Sequence, residues 1–280
     1  MHRALTGSRR GECAYLGWPG PLALAHRGGA AEVAENSRAA LEHASQLGYR
    51  YFETDVHSTA DGVVVLLHDP TVDRTTDGRG RLSTYTWQEA ARLRDRSGHR
   101  LVRLEEALAD YPQLRLNIDL KEDAAVAATL RVVAAAGAGD RVCLASFSDR
   151  RLRVVRRLTG GRVATSLGRR ETTRLLVAAN GGPARGVPTP GAGAAHRAVC
   201  VQVPIEYRGV PVVTPAFVRR AHRLGLAVHV WTVDDAPTMH RLLDLGVDGI
   251  VTDRPTVLRA VLRARGQWVE DGTPSSRTGL

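Results

Sequence analysis

The sequence predicts an α/β protein folded as a (β/α)8 barrel, that is, a TIM barrel. From residue 21 almost to the end, short β-type runs alternate with amphipathic helical stretches. Most of these stretches end in glycine, as a helix C-cap does. Alternation of strand, helix and strand is typical of a parallel sheet with helices outside. A chain of 280 residues with 43% hydrophobic composition is long enough and apolar enough for one such barrel.

Nine runs are predicted to be strands, which is one more than an eight-stranded barrel needs. In chain order they are residues 22–27, 49–56, 63–69, 114–121, 141–147, 162–167, 198–203, 227–233 and 249–253. The predicted helices between them include ENSRAALEHASQLG, DAAVAATLRVVAAAG, TPAFVRRAHRLG and DAPTMHRLLDLG.

The ninth strand is explained by the short connection HSTADG between the second and third runs. A parallel crossover needs about a dozen residues or more, whereas Asp-Gly is a hairpin turn signal. The third run should therefore fold back antiparallel on the second, which leaves eight parallel strands. With Asp61 and Gly62 as the central turn residues, Asp55 is predicted to lie opposite His68.

The barrel domain is predicted to span residues 21–265, after an N-terminal extension of residues 1–20. Residues 70–100 are predicted to form a small excursion with one short helix after the hairpin. The Gly/Pro-rich stretch 181–197 is expected to be mobile, and residues 266–280 are a predicted disordered tail.

Composition narrows the possible function classes. The longest apolar runs are far shorter than the about 20 residues of a transmembrane helix, and the N-terminus lacks the apolar core of a secretory signal. We therefore expect a cytoplasmic protein without stable membrane insertion.

Cys13, Cys143 and Cys200 lack metal-binding spacing and are expected to be reduced thiols, the last two in the core. The formal charge of +10 suits anionic partners, but scattered arginines and 5% aromatic residues disfavour nucleic acid.

Acidic residues gather at the C-terminal ends of two predicted strands. Glu53 and Asp55 are two positions apart and share a face, and Asp119 and Lys121 repeat that spacing on the next parallel strand. Active sites of TIM barrels lie at this end of the strands. Carboxylates that converge there repel one another unless a cation holds them, and oxygen ligands suit Mg²⁺ or Ca²⁺. We therefore expect one divalent cation, Ca²⁺ or Mg²⁺, beside Lys121, the only lysine among 39 basic residues.

Two histidines, His26 and His68, end two further predicted strands. A lone histidine there would more often be structural, but two beside a metal ion form the general acid and base that phosphoryl displacement requires. Arg27 follows His26, and the two glycines after it let the backbone leave the strand, so that its guanidinium can approach a phosphate. His57 shares the face of the two strand acids and is a further candidate for lining the site.

Five segments are similar, in order and spacing, to the signatures of the glycerophosphodiester phosphodiesterase family. They are AHRGGAAEVAENS, FETDVHSTADGVVVLLHDPTVDRTTDGRG, NIDLK, VWTVDD and GVDGIVTDRP, and the match runs from about residue 22 to 262. The resemblance implies a (β/α)8 barrel that hydrolyses glycerophosphodiesters to an alcohol and sn-glycerol 3-phosphate with one divalent cation.

The resemblance also implies roles for individual residues. These are His26 and His68 as acid and base; Glu53, Asp55 and Asp119 as metal ligands; Arg27 and Lys121 at the phosphate; and Trp231 and Phe147 lining the pocket. The chain departs from the family pattern at Ala34 and Ser37, where proline and threonine are usual, and at Asp119, where glutamate is usual. Because aspartate is one methylene shorter, the position and identity of the ion stay open.

Two other functions stay open. The same barrel would cleave lysophospholipids, in a lysophospholipase D-like reaction, if it had an apolar groove, but the stretch LVAANGGPARGVPTPGAG is not markedly apolar. A basic barrel that binds anions or nucleic acid without turnover is the second alternative, although a binding module needs no acid–base pair. The sequence does not decide which histidine is the acid, whether water or the glycerol 2-hydroxyl attacks first, or the oligomeric state.

Overall fold

The computed structural model describes residues 13–190 and 197–270. Its strands are β1 Leu22–His26, β2 Tyr51–Ser58, β3 Val64–Leu66, β4 Arg115–Leu120, β5 Val142–Ala145, β6 Ala164–Thr165, β7 Cys200–Val203, β8 Glu206–Tyr207, β9 Val210–Pro211, β10 Ala227–Val230 and β11 Gly249–Thr252. Its α-helices are α1 Arg38–Gln46, α2 Trp87–Ala90, α3 Leu104–Asp110, α4 Ala124–Ala135, α5 Asp149–Thr159, α6 Arg169–Ala179, α7 Pro215–Arg223, α8 Ala236–Leu245 and α9 Pro255–Ala264.

The predicted TIM barrel is confirmed. Eight parallel strands follow the order β6–β5–β4–β2–β1–β11–β10–β7, and β3 pairs with β2 outside this path. A parallel bridge between Ser166 and Cys200 joins the two ends of the order, where the Leu167 amide donates to the Cys200 carbonyl at 2.9 Å. The C-terminal ends of all eight strands therefore open at one face of the barrel.

The β2–β3 hairpin forms as predicted, but its register is shifted by one residue. Val56 pairs with Leu66, so Asp55 faces Leu67 and not His68. The loop has three residues because the Thr59 amide donates to the Val63 carbonyl at 3.0 Å, and Gly62 takes φ +81°. A type I turn closed by a left-handed glycine is a common three-residue hairpin loop. The prediction of a two-residue turn was wrong.

A second hairpin, β8–β9, was not predicted. Its two turn residues, Arg208 and Gly209, have φ values of +52° and +76°, as a tight two-residue hairpin turn requires. Tyr207 and Val210 flank the turn and are 55% and 56% exposed. This hairpin lies after β7, at the face where the strands end.

Local sequence signals define the helix ends. The side chains of Ser37, Ser148 and Thr214 accept backbone hydrogen bonds at the first turns of α1, α5 and α7. Gly160 and Gly246 adopt the left-handed conformation that ends α5 and α8. The apolar faces of these helices pack on the barrel in one large cluster of buried residues.

Chain segments before and after the barrel pack against it where they are described. Tyr15 is 1% exposed, and its carbonyl accepts a hydrogen bond from the Tyr51 hydroxyl at 2.7 Å. Trp268 packs on Tyr49 with a centroid distance of 5.2 Å. Residues 1–12, 191–196 and 271–280 lie outside the described residues, as do the predictions that fall on them.

Cys143 and Cys200 are buried in the barrel core, with their sulfurs 3.9 Å apart, and all three cysteines are free thiols. Within the described ranges, no helix combines the length and the apolar character that a bilayer crossing demands.

Candidate active site

A cavity of about 520 Å³ opens at the C-terminal ends of the strands. The nine residues to which the family resemblance assigns roles all line it: His26, Arg27, Glu53, Asp55, His68, Asp119, Lys121, Phe147 and Trp231. The fold thus gathers residues that are up to 205 positions apart in the chain (His26 and Trp231) at one face of the barrel.

The carboxylates are brought together by strand register. β2 and β4 pair so that Asp55 lies level with Asp119, and Glu53 lies level with Asn117. Glu53 and Asp55 are 7% and 1% exposed. The alternation of side chains along a strand directs both of them, with Asp119, to the cavity side.

Lys121 bridges two of the carboxylates. Its Nζ lies 2.8 Å from Asp55 Oδ1 and 2.7 Å from Asp119 Oδ2. Burial alone would lower the pKa of Lys121, but the charges of Asp119 and Asp55 outweigh it and raise the pKa. Burial likewise would raise the pKa of Asp55, yet Lys121 and Arg27 lower it. Lys121 and Asp55 are therefore both charged at neutral pH.

Glu53 and Asp119 retain capacity for a further cation. Burial, and then the charge of Asp55, raises the pKa of Glu53 to about 7. Asp119 Oδ1 is buried and has no hydrogen-bond partner in the part of the chain that the structure describes. Among the described residues, no three His, Cys, Asp or Glu side chains are already arranged to hold a metal ion, and Lys121 lies between Asp55 and Asp119. In donor chemistry, the buried carboxylates of Glu53 and Asp55 and the partly buried carboxylate of Asp119 supply the oxygen ligands that a hard divalent cation prefers.

Arg27 is turned into the cavity by an unusual backbone conformation. Its φ is +50°, and the glycines that follow have φ values of +90° and +108°. A Cβ at Gly29 would lie 2.6 Å from Pro255 Cγ, so only glycine fits there. Arg27 Nε lies 3.2 Å from Asp55 Oδ2, and Nη1 donates to Glu35 Oε1 at 3.0 Å.

His26 is oriented by the carboxylate of Asp253, which directly follows the last barrel strand, β11. Its Nδ1 lies 2.7 Å from Asp253 Oδ1, and its Nε2 lies 3.8 Å from Glu53 Oε2. Burial alone would lower the pKa of His26, but the Glu53 charge and the hydrogen bond with Asp253 raise it above 6.5. Because a carboxylate accepts hydrogen bonds, this contact places the His26 proton on Nδ1 and leaves Nε2 available.

His68 has the same arrangement with its sequence neighbour. Its Nδ1 lies 2.6 Å from Asp69 Oδ1. Arg74, which donates to Asp69 Oδ2 at 2.6 Å, and then His68 hold the pKa of Asp69 at about 2. Arg74 also donates to Glu35 at 2.7 and 2.8 Å, which links His68 to the carboxylate that holds Arg27.

The sequence reasoning missed these orienting residues. Asp253 is the final residue of the last predicted strand, 249–253, so the rule that singled out the other strand-end residues applied to it equally. Asp69 ends the predicted strand 63–69 and lies next to His68, so it carried the same signal; Arg74 did not, because its contact with Glu35 joins residues 39 positions apart. Asn36 was also missed; its amide donates to Asp55 Oδ2 at 3.1 Å.

Other histidines have structural contacts. His57 does not line the cavity; its Nε2 lies 3.2 Å from the His68 carbonyl and its Nδ1 lies 3.3 Å from Glu122. His43, on α1, pairs with Glu32 at 2.8 Å, away from the cavity.

Aromatic side chains form the wall beyond the charged cluster. Phe147 and Trp231 pack edge to face, with centroids 6.0 Å apart and an interplanar angle of 85°. Leu167, Tyr207 and Val212 extend this wall. The cavity thus has a charged end at the barrel axis and an apolar side toward α6 and the β8–β9 hairpin.

Known proteins are similar to this chain in sequence and in fold. The sequence profile described as the glycerophosphoryl diester phosphodiesterase family matches residues 26–257. A probable glycerophosphodiester phosphodiesterase 2 of Mycobacterium tuberculosis is 40% identical over 91% of this chain and 95% of its own.

Solved structures agree with the sequence matches. A glycerophosphodiester phosphodiesterase from Agrobacterium tumefaciens superposes with a TM-score of 0.70 at 26% identity, over 87% of this chain and 99% of its own. A phosphodiesterase from Oleispira antarctica, solved with sn-glycerol-3-phosphate, has the same fold with a TM-score of 0.70 at 22% identity, over 87% of this chain and 97% of its own. Because the profile covers most of the chain and a relative 40% identical spans nearly all of it, the chain belongs to the glycerophosphoryl diester phosphodiesterase family of phosphoric diester hydrolases.

Proposed function

We propose that this protein hydrolyses glycerophosphodiesters to an alcohol and sn-glycerol 3-phosphate, with His26 and His68 as its acid–base pair. The observation that carries the proposal is the shared arrangement of the two imidazoles. Each has Nδ1 held by a carboxylate, Asp253 or Asp69, and both line the cavity that contains the carboxylates and Lys121. Paired imidazoles held in this way suit proton transfer in two directions. The Oleispira antarctica relative, solved with sn-glycerol-3-phosphate as its product, is consistent with this substrate class.

The chemistry assigned to the chain is displacement at phosphorus. The oxygen of the nucleophile, which is water or the glycerol 2-hydroxyl, bonds to phosphorus as the bond to the leaving alcohol breaks. Attack by the 2-hydroxyl gives a cyclic phosphate, which water then opens to sn-glycerol 3-phosphate. One imidazole takes the proton of the nucleophile, and the other donates a proton to the leaving oxygen. Arg27 and Lys121 offset the negative charge that spreads over the phosphoryl oxygens.

We further propose that Glu53, Asp55 and Asp119 hold one divalent cation, Ca²⁺ or Mg²⁺. The unpartnered Asp119 Oδ1 and the raised pKa of Glu53 support this assignment. Such a cation supplies Lewis-acid polarisation of a phosphoryl oxygen when it is bound.

Turnover of glycerophosphocholine tests the acid–base assignment. We expect His26→Ala and His68→Ala each to lower kcat by about 10²-fold or more. His43→Ala is the matched control, because His43 pairs with Glu32 outside the cavity, and it should retain activity. Near wild-type turnover in either cavity variant would contradict the assignment.

Chelation by EDTA should abolish activity, with recovery on adding Mg²⁺ or Ca²⁺; activity that survives chelation would remove the cation from the proposal.

Hydrolysis of lysophospholipids in the same cavity is the second candidate. The observation that favours it is the apolar wall. The stretch LVAANGGPARGVPTPGAG is not markedly apolar, but among the described residues only its first, Leu176, lines the cavity. The apolar wall is formed instead by Phe147, Leu167, Tyr207 and Val212. Product analysis with a lysophospholipid beside glycerophosphocholine separates the two candidates, since only the first predicts sn-glycerol 3-phosphate as the sole phosphate product.

A further inference from the structure

Arg169 is a charged residue of the cavity that the proposed chemistry does not use. It is the first residue of α6 and lines the apolar side together with Thr172 and Leu176. All other charged or titratable groups described along the wall, apart from the Tyr207 phenol, belong to the catalytic cluster, which comprises His26, Arg27, Glu53, Asp55, His68, Asp119 and Lys121. The electrostatic character of the outer half of the cavity is therefore set by one guanidinium.

The charge of Arg169 has no acidic partner within residues 13–190 and 197–270. Asp149, whose carboxylate lies at the start of α6, accepts hydrogen bonds from the amides of Arg170 at 3.1 Å and Glu171 at 2.9 Å. Glu171 in turn makes a paired contact with Arg156. Both neighbouring carboxylates are thus already engaged, and Arg169 presents its charge to the cavity mouth.

Arg169 also covers an aromatic face. Its guanidinium carbon lies 5.5 Å from the centroid of the Phe147 ring. The faces of aromatic rings are where proteins bind quaternary ammonium groups. On Phe147 that position is held by a cation of the protein, which would repel a second cation.

The distribution of polar side chains along the cavity indicates where the glycerol and the alcohol of a bound diester would lie. The carboxylates, Asn117 and Gln202 lie at the charged end, where they can bind the hydroxyls of glycerol. The apolar side offers few such groups and suits the variable alcohol. That alcohol would therefore end beside Phe147 and Arg169.

We propose that Arg169 determines substrate specificity by disfavouring diesters whose alcohol carries a cation, such as choline, relative to those with a neutral or anionic alcohol. The inference rests on the proposed function and deepens it, since it names the charge class of the alcohol. Arg169 acts on binding of the alcohol arm and takes no part in proton transfer.

The test compares kcat/KM for two substrates of equal shape: glycerophosphocholine and its uncharged 3,3-dimethylbutyl isostere. Wild-type enzyme should favour the isostere, and Arg169→Gln should shift the ratio toward glycerophosphocholine by about 5-fold, because repulsion is lost and the Phe147 face is freed. Arg169→Lys should keep the wild-type preference. Arg170→Gln is the matched control: Arg170 is exposed on the same helical turn and does not line the cavity, so the ratio should not change.

A ratio measured on one preparation cancels the active fraction, so partial misfolding of a variant does not alter it. Hydrolysis by wild-type enzyme with an unchanged ratio in Arg169→Gln would overturn this inference and leave the proposed function standing. Failure of wild-type enzyme to hydrolyse any glycerophosphodiester would overturn the proposed function and this inference with it.

Discussion

The buried pair of Arg156 and Glu171 gives a stability prediction that can be worked from the structure. Arg156 is 0% exposed and Glu171 is 4% exposed. Two parallel hydrogen bonds of 2.9 and 3.0 Å join the guanidinium to the carboxylate. Arg156 also donates to Thr165 Oγ1 at 2.8 Å and to the Ser166 carbonyl at 2.7 Å. The pair therefore ties α5 to the first turn of α6 and to the end of β6.

Replacing Glu171 with leucine would leave a buried guanidinium without its counter-charge. Breaking a buried pair in this way costs about 3–5 kcal/mol of folding free energy. The neutral contacts to Thr165 and Ser166 remain but do not compensate a charge. Replacing both residues, as Arg156→Met with Glu171→Leu, removes the two charges together, and such replacements are often neutral or stabilising by about 1–4 kcal/mol. The double variant should thus be more stable than the single one.

Urea unfolding followed by circular dichroism measures these differences as shifts of the midpoint at constant m-value. The matched control is the ion pair of Arg38 and Asp110, at 2.6 Å, whose side chains are 39% and 43% exposed. Asp110→Ala should cost less than about 1 kcal/mol, because exposed pairs are screened by water. If Glu171→Leu is no more destabilising than Asp110→Ala, or if the double variant is the least stable, the reasoning is refuted.

Three shorter predictions concern the site and the pH dependence of stability. Asp253→Asn should lower kcat by about 10- to 100-fold with little change in KM, because it misorients His26; an unchanged kcat would argue against that role. Lys121→Arg should lower kcat/KM by about tenfold or more, since a broad fork replaces a compact ammonium, and equal activity would show that only charge is needed. Burial would raise the pKa of Glu106, but hydrogen bonds from the side chains of Arg100 and Arg103 lower this pKa to about 2, below the ordinary 4.5. The contribution of Glu106 is thus present above pH 4.5 and lost as the pH falls toward 2; Glu106→Gln should cost on the order of 1 kcal/mol at pH 7 and progressively less in acid, as urea midpoints would show.

The barrel was predictable from sequence because its signals are local. Apolar runs, capping residues such as Ser37 and Thr214, and glycine at helix ends each act over a few positions and agree with one another. The charged cluster was predictable for the same reason, since the spacing of Glu53 and Asp55 fixes their common face.

What sequence reasoning missed depends on geometry at longer range or at finer detail. The β2–β3 register turned on whether Gly62 closes a two- or a three-residue loop, and both loops use a left-handed glycine. The bond from Asp253 to His26 joins residues 227 positions apart. Glu35 and Arg74 meet only because the excursion folds back over the loop after β1. No periodic pattern carries such contacts.

The presence of a single lysine in an arginine-rich chain follows from the contacts of Lys121. Strand register sets Asp55 and Asp119 side by side, and one nitrogen reaches both at 2.8 and 2.7 Å. A guanidinium spreads its charge over a planar fork, and that plane would have to fit between Asp119 and Asp55, whose carboxylate Asn36 already holds. Aspartate at position 119 is also shorter than the glutamate usual in the family, so its carboxylate stays close to β4 and within reach of Lys121, the first residue after that strand. The two departures, one in composition and one in the motif, therefore meet in a single contact, the ion pair of Lys121 and Asp119.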